Sequence, residues 1–286
     1  MSRKILAQTL GLVLVALSVK AEPAMWVIKD SDSTIYLIGT LHLLKHDAEW
    51  NSKKVKETVG ESTELWLEIA ELDNQVAMRP LIATHGKDPT TPLSKKLNEE
   101  QRKKLAKIAA TYSIPLATLE PMQPWLAAVV LAGMPLAKAG YDPQAGIDRA
   151  LKAQAEAEGD KIRGFETVLA QVRMFADLPQ AAQIAFLIET LDDVEEGLEL
   201  LDKLAKAWID GDTETIARIG VDEMKREAPV VYTKLLVDRN VAWSEKIVEI
   251  LKGSGVHQIA VGAAHLAGPD SLQAQLQKRG IKVERY

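Results

Sequence analysis

Residues 34–42, Thr34-Ile35-Tyr36-Leu37-Ile38-Gly39-Thr40-Leu41-His42, form an apolar run that ends in a glycine and, three residues later, a histidine. A second run near the other end of the 286-residue chain, Gln258-Ile259-Ala260-Val261, is followed by Gly262-Ala263-Ala264-His265. Short apolar runs of this kind are typical of buried strands. With 17 Gly and 5 His in the chain, chance gives about 0.3 G-x-x-H matches. Two matches, both at strand ends, therefore indicate a shared role.

Ligands of open α/β sheets collect at the carboxyl ends of the strands. If the two strands are neighbours in one sheet, His42 and His265 lie in a common crevice although they are far apart in sequence. Gly39 and Gly262, at the ends of the two strands, are then candidate residues of the same cleft.

The remaining pattern predicts an α/β fold whose small mixed sheet is built from the N- and C-terminal segments of the chain. Predicted strands cover residues 25–28, 34–38, 65–69, 161–166, 257–263 and 281–285. The first two form a hairpin around Asp30-Ser31-Asp32-Ser33. The middle of the chain, about residues 95–253, reads as a large helical insertion, with interruptions near Pro179, Gly211 and Pro229. The domain predicted from these elements covers residues 22–286.

The first 21 residues predict a secretory signal peptide. Arg3 and Lys4 precede an apolar stretch from Ile5 to Leu17, and Val19-Lys20-Ala21 offers small residues for cleavage after Ala21. An uncleaved anchor is the alternative, but the stretch is shorter than the roughly 20 apolar residues of a bilayer span. We therefore expect a periplasmic or otherwise exported protein that has no stable membrane span after cleavage.

Composition excludes several classes of function. Loss of Arg3, Lys4 and Lys20 with the signal peptide would change the formal net charge from −5 to −8, which argues against nucleic acid as a partner. The chain has no cysteine, so thiolate zinc sites and cysteine nucleophiles are excluded. Any metal would be held by histidines and carboxylates.

Glu68 is the first candidate carboxylate. It interrupts the apolar strand Leu65-Trp66-Leu67-Glu68-Ile69, and a buried acid is costly unless it is paired or bound to a metal. With His42 and His265 it would form a set of two histidines and one carboxylate, which suits a divalent ion with open positions for water. The alternative is that Glu68 faces solvent on an edge strand.

Three other charged residues are weaker candidates. Glu166 ends a predicted strand, and Asp148 starts a predicted helix, so each has an alternative role as an acid at a helix N-terminus. Arg239 lies in a helical segment and is either a surface ion-pair partner or a cation directed into the cleft. His46 is interpreted as a rim residue, His85 as a loop residue and His257 as structural.

The strings Tyr36-Leu37-Ile38-Gly39-Thr40-Leu41-His42 and Leu65-Trp66-Leu67-Glu68 resemble the TraB/GumN family. The resemblance extends in the same order over the mature chain, through Pro124-Trp125, Gly146-Ile147-Asp148, Phe165-Glu166-Thr167, Asp238-Arg239-Asn240 with Trp243, and residues 261–268. This family includes the TIKI proteins, which are metal-dependent proteases, and pheromone-shutdown proteins. Erythromycin-esterase-like hydrolases and ChaN-like haem-binding lipoproteins are more distant relatives by fold.

The resemblance implies roles for particular residues. Two G-x-x-H histidines and a glutamate are implicated in metal-dependent peptide hydrolysis by the TIKI proteins, which here correspond to His42, His265 and Glu68. Arg239 matches a family position with an expected electrostatic role. Glu166, Asp148 and Asn240 also sit at matching positions in or near the cleft.

The leading hypothesis is a periplasmic metal-dependent hydrolase, with a peptidase as one option. Its divalent ion (manganese, cobalt, zinc or iron) would activate water. Glu68 would be either a ligand or the general base, Arg239 would stabilise the oxyanion, and Glu166 would assist.

Two alternatives stay open at this point. The first is a metal-free, esterase-like hydrolase in which His42 is the base, Glu68 orients it and His265 assists. The second is a non-catalytic protein that binds haem or peptides. The substrate, a peptide or a small molecule, is not identified by the sequence.

Overall fold

The computed structural model describes residues 22–71, 74–194 and 197–286. The predicted signal peptide, with its cleavage site after Ala21, lies outside the described residues. Within the described part of the chain, no helix is both long and apolar enough to cross a membrane.

Six strands form one mixed sheet, and two short strands pair separately. Their bounds are β1 Met25–Lys29, β2 Ser33–Thr40, β3 Leu44–Lys45, β4 Glu64–Ile69, β5 Tyr141–Asp142, β6 Lys161–Glu166, β7 Gly255–Gly262 and β8 Glu284–Arg285. The order in the main sheet is β6-β4-β7-β2-β1-β8, while β3 pairs with β5. β6, β4, β7 and β2 are parallel, and β1 runs antiparallel to β2 and to β8. The predicted α/β fold with a mixed sheet from both ends of the chain is confirmed.

Fifteen α-helices are described, most of them in the middle of the chain. They are α1 Lys53–Glu61, α2 Gln75–His85, α3 Leu93–Lys96, α4 Glu99–Thr111, α5 Leu116–Leu119, α6 Pro124–Lys138, α7 Ile147–Glu158, α8 Val168–Ala176, α9 Gln180–Asp193, α10 Gly197–Ile209, α11 Thr213–Ile216, α12 Asp222–Glu227, α13 Pro229–Tyr232, α14 Asp238–Ile250 and α15 Leu272–Lys278. Two π-helical segments, Ala217–Val221 and Thr233–Val237, join α11 to α12 and α13 to α14.

The hairpin turn follows from one side chain. Oδ1 of Asp30 accepts hydrogen bonds from the backbone N–H of Asp32 at 3.1 Å and of Ser33 at 2.7 Å. An aspartate that bonds its own backbone two residues on supplies the turn without help from the partner strand. The polar tetrad between two apolar runs therefore encodes the β1–β2 connection.

Strand β2 is buried on both faces, as expected for a parallel strand that has helices on either side. Tyr36 and Ile38 belong to one hydrophobic cluster, whereas Ile35 and Leu37 belong to another. The alternation is the period of two that strand geometry imposes. A third cluster lies among α4, α6 and α9, so the helical insertion has a core of its own.

Two details differ from the sequence-based expectation, and a third agrees with it. The last strand comprises only Glu284–Arg285 rather than residues 281–285. His85, expected in a loop, is the last residue of α2. The helical insertion also contributes β6 to the sheet, in agreement with the strand predicted at residues 161–166.

Candidate active site

The candidate site lies at the carboxyl edge of the four parallel strands. β2 and β7 are direct neighbours, with Gly39 opposite Val261 and Thr40 opposite Gly262, so the two G-x-x-H motifs meet as predicted. β4 lies between β7 and β6, which brings Glu68 and Glu166 to the same edge. A cavity of about 480 Å³ separates this edge from the helical insertion, and His42, Glu68, Arg239 and His265 are among its lining residues.

Arg239, on the first turn of α14, connects most of these groups. Its Nε donates to Oε1 of Glu166 at 2.8 Å, and its Nη2 donates to Oε2 of Glu166 at 3.0 Å and to Oε2 of Glu68. Its Nη1 donates to the carbonyl of Leu235 at 3.1 Å and lies 3.0 Å from Nε2 of His265. A guanidinium has five N–H donors, and these five acceptors use all of them.

The cation of Arg239 is therefore directed at the protein rather than at the solvent. Its side chain is 11% exposed, and the guanidinium lies 4.5 Å from the centre of the Trp243 ring. Of the two sequence interpretations of Arg239, the surface ion pair is wrong. Because no N–H is left over, its expected role at a substrate oxyanion is not supported by this arrangement.

Glu68 is buried in an interior strand rather than exposed on an edge strand. The residue is 7% exposed, and its Oε1 accepts a hydrogen bond from the backbone N–H of Gly262 at 2.8 Å. Its Oε2 accepts from Arg239 and, at 3.1 Å, from Gln171. Burial would raise the pKa of this carboxyl, but Arg239, His42 and the Gly262 N–H outweigh burial and hold the pKa well below its usual range.

His265 is fixed in one tautomer by its two neighbours. Because Arg239 can only donate, Nε2 of His265 is the acceptor, and the ring proton must sit on Nδ1. Nδ1 then donates to Oδ1 of Asn240 at 2.7 Å. Asn240 is oriented for this contact because its Nδ2 donates to the carbonyl of Asp270 at 2.9 Å.

His265 is consequently a neutral, buried imidazole. It is 3% exposed, and its ring packs against Trp243 with centroids 4.4 Å apart. Burial is the main cause that lowers its pKa to about 3; Glu68 opposes this shift, and the charges of Arg239 and His42 contribute to it.

His42 has the opposite environment. Its side chain is 57% exposed at the cavity mouth, and Nδ1 lies 3.4 Å from Oδ1 of Asp148. Desolvation and the charge of Arg239 would lower the pKa of His42, but the Asp148 carboxylate and the charge of Glu68 raise it to about 9. Among the histidines of the cleft, only His42 has a ring nitrogen, Nε2, that no described hydrogen bond occupies.

A second link holds the backbone of His42 in place. The N–H of Ile147 donates to the carbonyl of Leu41 at 2.9 Å, and the N-terminus of α7 lies against the loop after β2. A Cβ at Gly146 would lie 2.6 Å from the carbonyl oxygen of His42, so only glycine permits this approach. The string Gly146-Ile147-Asp148 therefore positions both the backbone and the ring of His42.

Not all predicted residues lie in the cavity. Gly39 lies behind it: a Cβ there would meet the Cα of Ala263 at 3.0 Å, and its carbonyl accepts a hydrogen bond from Trp208. Asn240 acts from behind His265. His46 is exposed, pairs with Asp142 at 2.8 Å and is not among the residues that line the cavity. His257 is buried in β7 near Glu64, the first residue of β4, which is the end of that strand away from Glu68.

Sequence reasoning missed two site residues. Gln171 on α8 donates through Nε2 to both Glu68 and Glu166, at 3.1 and 3.2 Å. Trp243, named in the sequence only as part of the family resemblance, donates through Nε1 to Glu166 at 3.0 Å. The sequence signal for Trp243 was its spacing of four residues from Arg239, which places both on one helix face; Gln171 had no signal of its own.

The arrangement does not fit a divalent ion held by His42, Glu68 and His265. Both ring nitrogens of His265 are occupied, Nε2 by Arg239 and Nδ1 by Asn240, so neither offers a lone pair. Around Gly262, Oε1 of Glu68 and Nε2 of His42 lie together with Cδ2 of His265. This atom of His265 is a carbon, which cannot be a metal ligand. Within the described ranges, no group of three or more His, Cys, Asp or Glu residues is arranged to hold a metal.

Comparisons with known proteins agree with the residue pattern. The model of the TraB/PrgY/gumN family matches residues 24–285. An uncharacterized protein of Treponema pallidum (strain Nichols) is 20% identical over 273 residues, which cover 91% of this chain and 82% of that protein. No solved structure matches the chain.

Proposed function

The chain belongs to the TraB/PrgY/gumN family, and we propose that it is a hydrolase in which His42 activates water without a metal ion. The observation that supports this choice is the contrast between the two histidines. Both nitrogens of His265 are occupied, whereas His42 lines the cavity, no described hydrogen bond occupies its Nε2, and its Nδ1 faces a carboxylate. An imidazole oriented by an acid is the usual arrangement of a general base.

A pKa of about 9 keeps His42 mostly protonated at neutral pH, so the proposed reaction proceeds from the neutral form of the ring and its rate should rise with pH up to about 9. In that form, Nε2 of His42 takes a proton from water as the water oxygen attacks the substrate carbonyl carbon. The resulting imidazolium is stabilised by Asp148 and then donates that proton to the leaving oxygen or nitrogen. The products are a carboxylic acid and an alcohol or amine. Arg239, which Glu68 and Glu166 anchor, holds His265 in place and helps to keep its ring neutral.

The test uses a panel of uncharged p-nitrophenyl esters and acyl p-nitroanilides with protein dialysed exhaustively against a chelator. We expect hydrolysis by the wild type, a loss of about 100-fold or more in His42→Gln, and a smaller loss in Asp148→Asn. His46→Gln is the matched control, because that histidine is also exposed and paired with an aspartate, but lies on the rim.

Three outcomes would overturn the proposal. Full activity in His42→Gln would exclude its role as the base. Loss of activity on chelation, with restoration by manganese, cobalt, zinc or iron, would instead support the metal-dependent hydrolase and would require Arg239 to leave His265. No hydrolysis of any substrate, together with His42-dependent binding of haem or peptides, would support a binding protein.

Export to the periplasm is part of the proposal and rests on residues 1–21. Fractionation of cells that express the full chain tests it: the mature protein should begin at Glu22 and appear outside the cytoplasm.

A further inference from the structure

The walls of the cavity differ in character from its floor. The floor carries the charged cluster around Arg239, but the walls that the helical insertion contributes are apolar. They are formed by Met174, Phe175, Leu204, Ile216, Met224 and Leu235. Most of these side chains are only partly buried, so their apolar surface is available to a ligand.

The apolar lining continues beyond the first cavity. A second space of about 240 Å³ lies beside it; Leu204, Gly220, Met224 and Leu235 line both, while Glu189, Thr190 and Glu223 also line the second. Of the residues shared by the two spaces, Gly220 has no side chain and Met224 has an unbranched, adaptable one. Both π-helical segments meet here, since Gly220 belongs to one and Leu235 to the other. Such segments within α-helices occur frequently at functional sites.

The charges in the cleft offer little to an anionic ligand. Arg239 donates all five of its N–H groups to protein acceptors, and His42 is paired with Asp148. Three carboxylates, Glu68, Glu166 and Asp148, face these two cations. A substrate that carries its own carboxylate or phosphate near the scissile bond would therefore be repelled rather than bound.

Because the walls are apolar and both cations of the cleft are paired with protein groups, we propose that the substrate is an uncharged ester or amide whose acyl group is a long apolar chain. The reacting carbonyl lies at His42, and the chain extends along Leu204 and Met224 past Gly220. Burial of the chain is the source of affinity, because each methylene removed from water contributes to binding. This assignment rests on the proposed hydrolase function and specifies its substrate class.

The first test compares p-nitrophenyl acetate, butyrate and octanoate on the full chain. We expect kcat/KM to rise at least about tenfold from acetate to octanoate. Gly220→Leu should lower the ratio of octanoate to acetate activity by a similar factor, because the new side chain fills the space beside Leu204. Gly133→Leu is the matched control, since that helical glycine has open space beside it and lies outside the cavity.

A binding measurement does not depend on turnover. In calorimetric titrations, decanol should bind the wild type at least about tenfold more tightly than decanoate, the anion of equal chain length, and Gly220→Leu should weaken decanol binding. Equal binding of both ligands, or none, would overturn the proposal.

The two proposals can fail separately. His42-dependent hydrolysis with no preference for chain length would overturn the substrate class and leave the hydrolase function intact. Binding of decanol that Gly220→Leu abolishes, without hydrolysis of any ester, would support the apolar ligand and overturn the hydrolase function.

Discussion

The two G-x-x-H motifs are alike in sequence and opposite in physical state. The first places His42 at the cavity mouth, over half exposed and beside Asp148, so that its pKa rises to about 9. The second places His265 in the interior, between Arg239 and Asn240, so that its pKa falls to about 3. The motif therefore determines where each histidine lies along its strand, but the neighbours determine whether the ring is charged.

The difference also separates the tasks of the two rings. A ring with an unoccupied nitrogen at a cavity can exchange protons with a substrate, whereas a ring with both nitrogens satisfied can only hold its neighbours in place. The asymmetry is produced by Arg239, which takes the Nε2 lone pair of His265 and anchors both glutamates.

Replacement of Arg239 should have the largest effect on the contrast between the two histidines. Arg239→Met leaves the buried Glu68 and the partly buried Glu166 without their guanidinium partner, and removal of one partner from a buried pair costs about 3–5 kcal/mol of unfolding free energy. Urea denaturation at pH 7 measures the loss. Arg226→Met is the control, because Arg226 is an exposed arginine paired with Glu223 and Glu227, and its loss should cost less than about 1 kcal/mol.

Addition of Glu68→Gln and Glu166→Gln to Arg239→Met should recover part of the lost stability, because the uncompensated charges are removed. If Arg239→Met is no less stable than Arg226→Met, the cluster does not hold the floor of the cleft together.

The same substitution in the two glycines should have different effects. In Gly39→Ala the new Cβ lies 3.0 Å from the backbone of Ala263, and overpacking against backbone costs about 1–3 kcal/mol. In Gly262→Ala the Cβ lies 3.1 Å from Oε1 of Glu68, a side-chain atom, so we expect a smaller loss of stability.

Gly262→Ala should instead impair the site, because the methyl group enters the space among Glu68, His42 and His265. Thermal unfolding and hydrolysis rates, measured on both variants, give the comparison. Equal stability losses in the two variants would show that the second glycine is also a packing residue.

The opposite pKa shifts predict opposite slopes of stability with pH. Between about pH 3 and 6.5 the unfolded chain binds a proton at His265 that the native state does not, so this residue makes stability fall as pH decreases. Between about pH 6.5 and 9 the native state keeps a proton at His42 that the unfolded chain has lost, so stability falls as pH rises.

Urea denaturation from pH 4 to pH 9 tests both slopes; the slope from His265 is at most about 1.4 kcal/mol per pH unit, and the slope from His42 is smaller because solvent screens a ring that is over half exposed. His265→Gln should flatten the acid side only, and His42→Gln the alkaline side only. An acid slope unchanged in His265→Gln would contradict the assignment of a neutral buried ring.

The smallest effect is expected at the exposed histidine. Asp148→Asn removes the carboxylate beside Nδ1 and should lower the pKa of His42 from about 9 toward its ordinary value, with a stability change below about 1 kcal/mol. Titration of the ring by NMR measures the shift. Asp142→Asn, which removes the carboxylate beside His46, is the control and should leave the pKa of His42 unchanged.

Much of the fold could be predicted because its signals are local. The Asp30 turn lies where expected and depends on a few adjacent residues, as do the capping box at Asn98 that starts α4 and the left-handed Gly159 that ends α7. The π-helical segments and the two-residue strands β3 and β5 could not be predicted in this way. Their hydrogen bonds depend on packing between segments distant in sequence.

The sequence by itself determined the sheet, the position of both histidines at strand ends and the presence of two acids at the same edge, because strand periodicity and chain reversal are local properties. Only the tertiary structure decided what these groups do to one another. Arg239 and Asp148 come from two different helices, and the charge of each histidine depends on which of them lies beside its ring. Desolvation and pairing act through space, so one motif produced two histidines with opposite protonation.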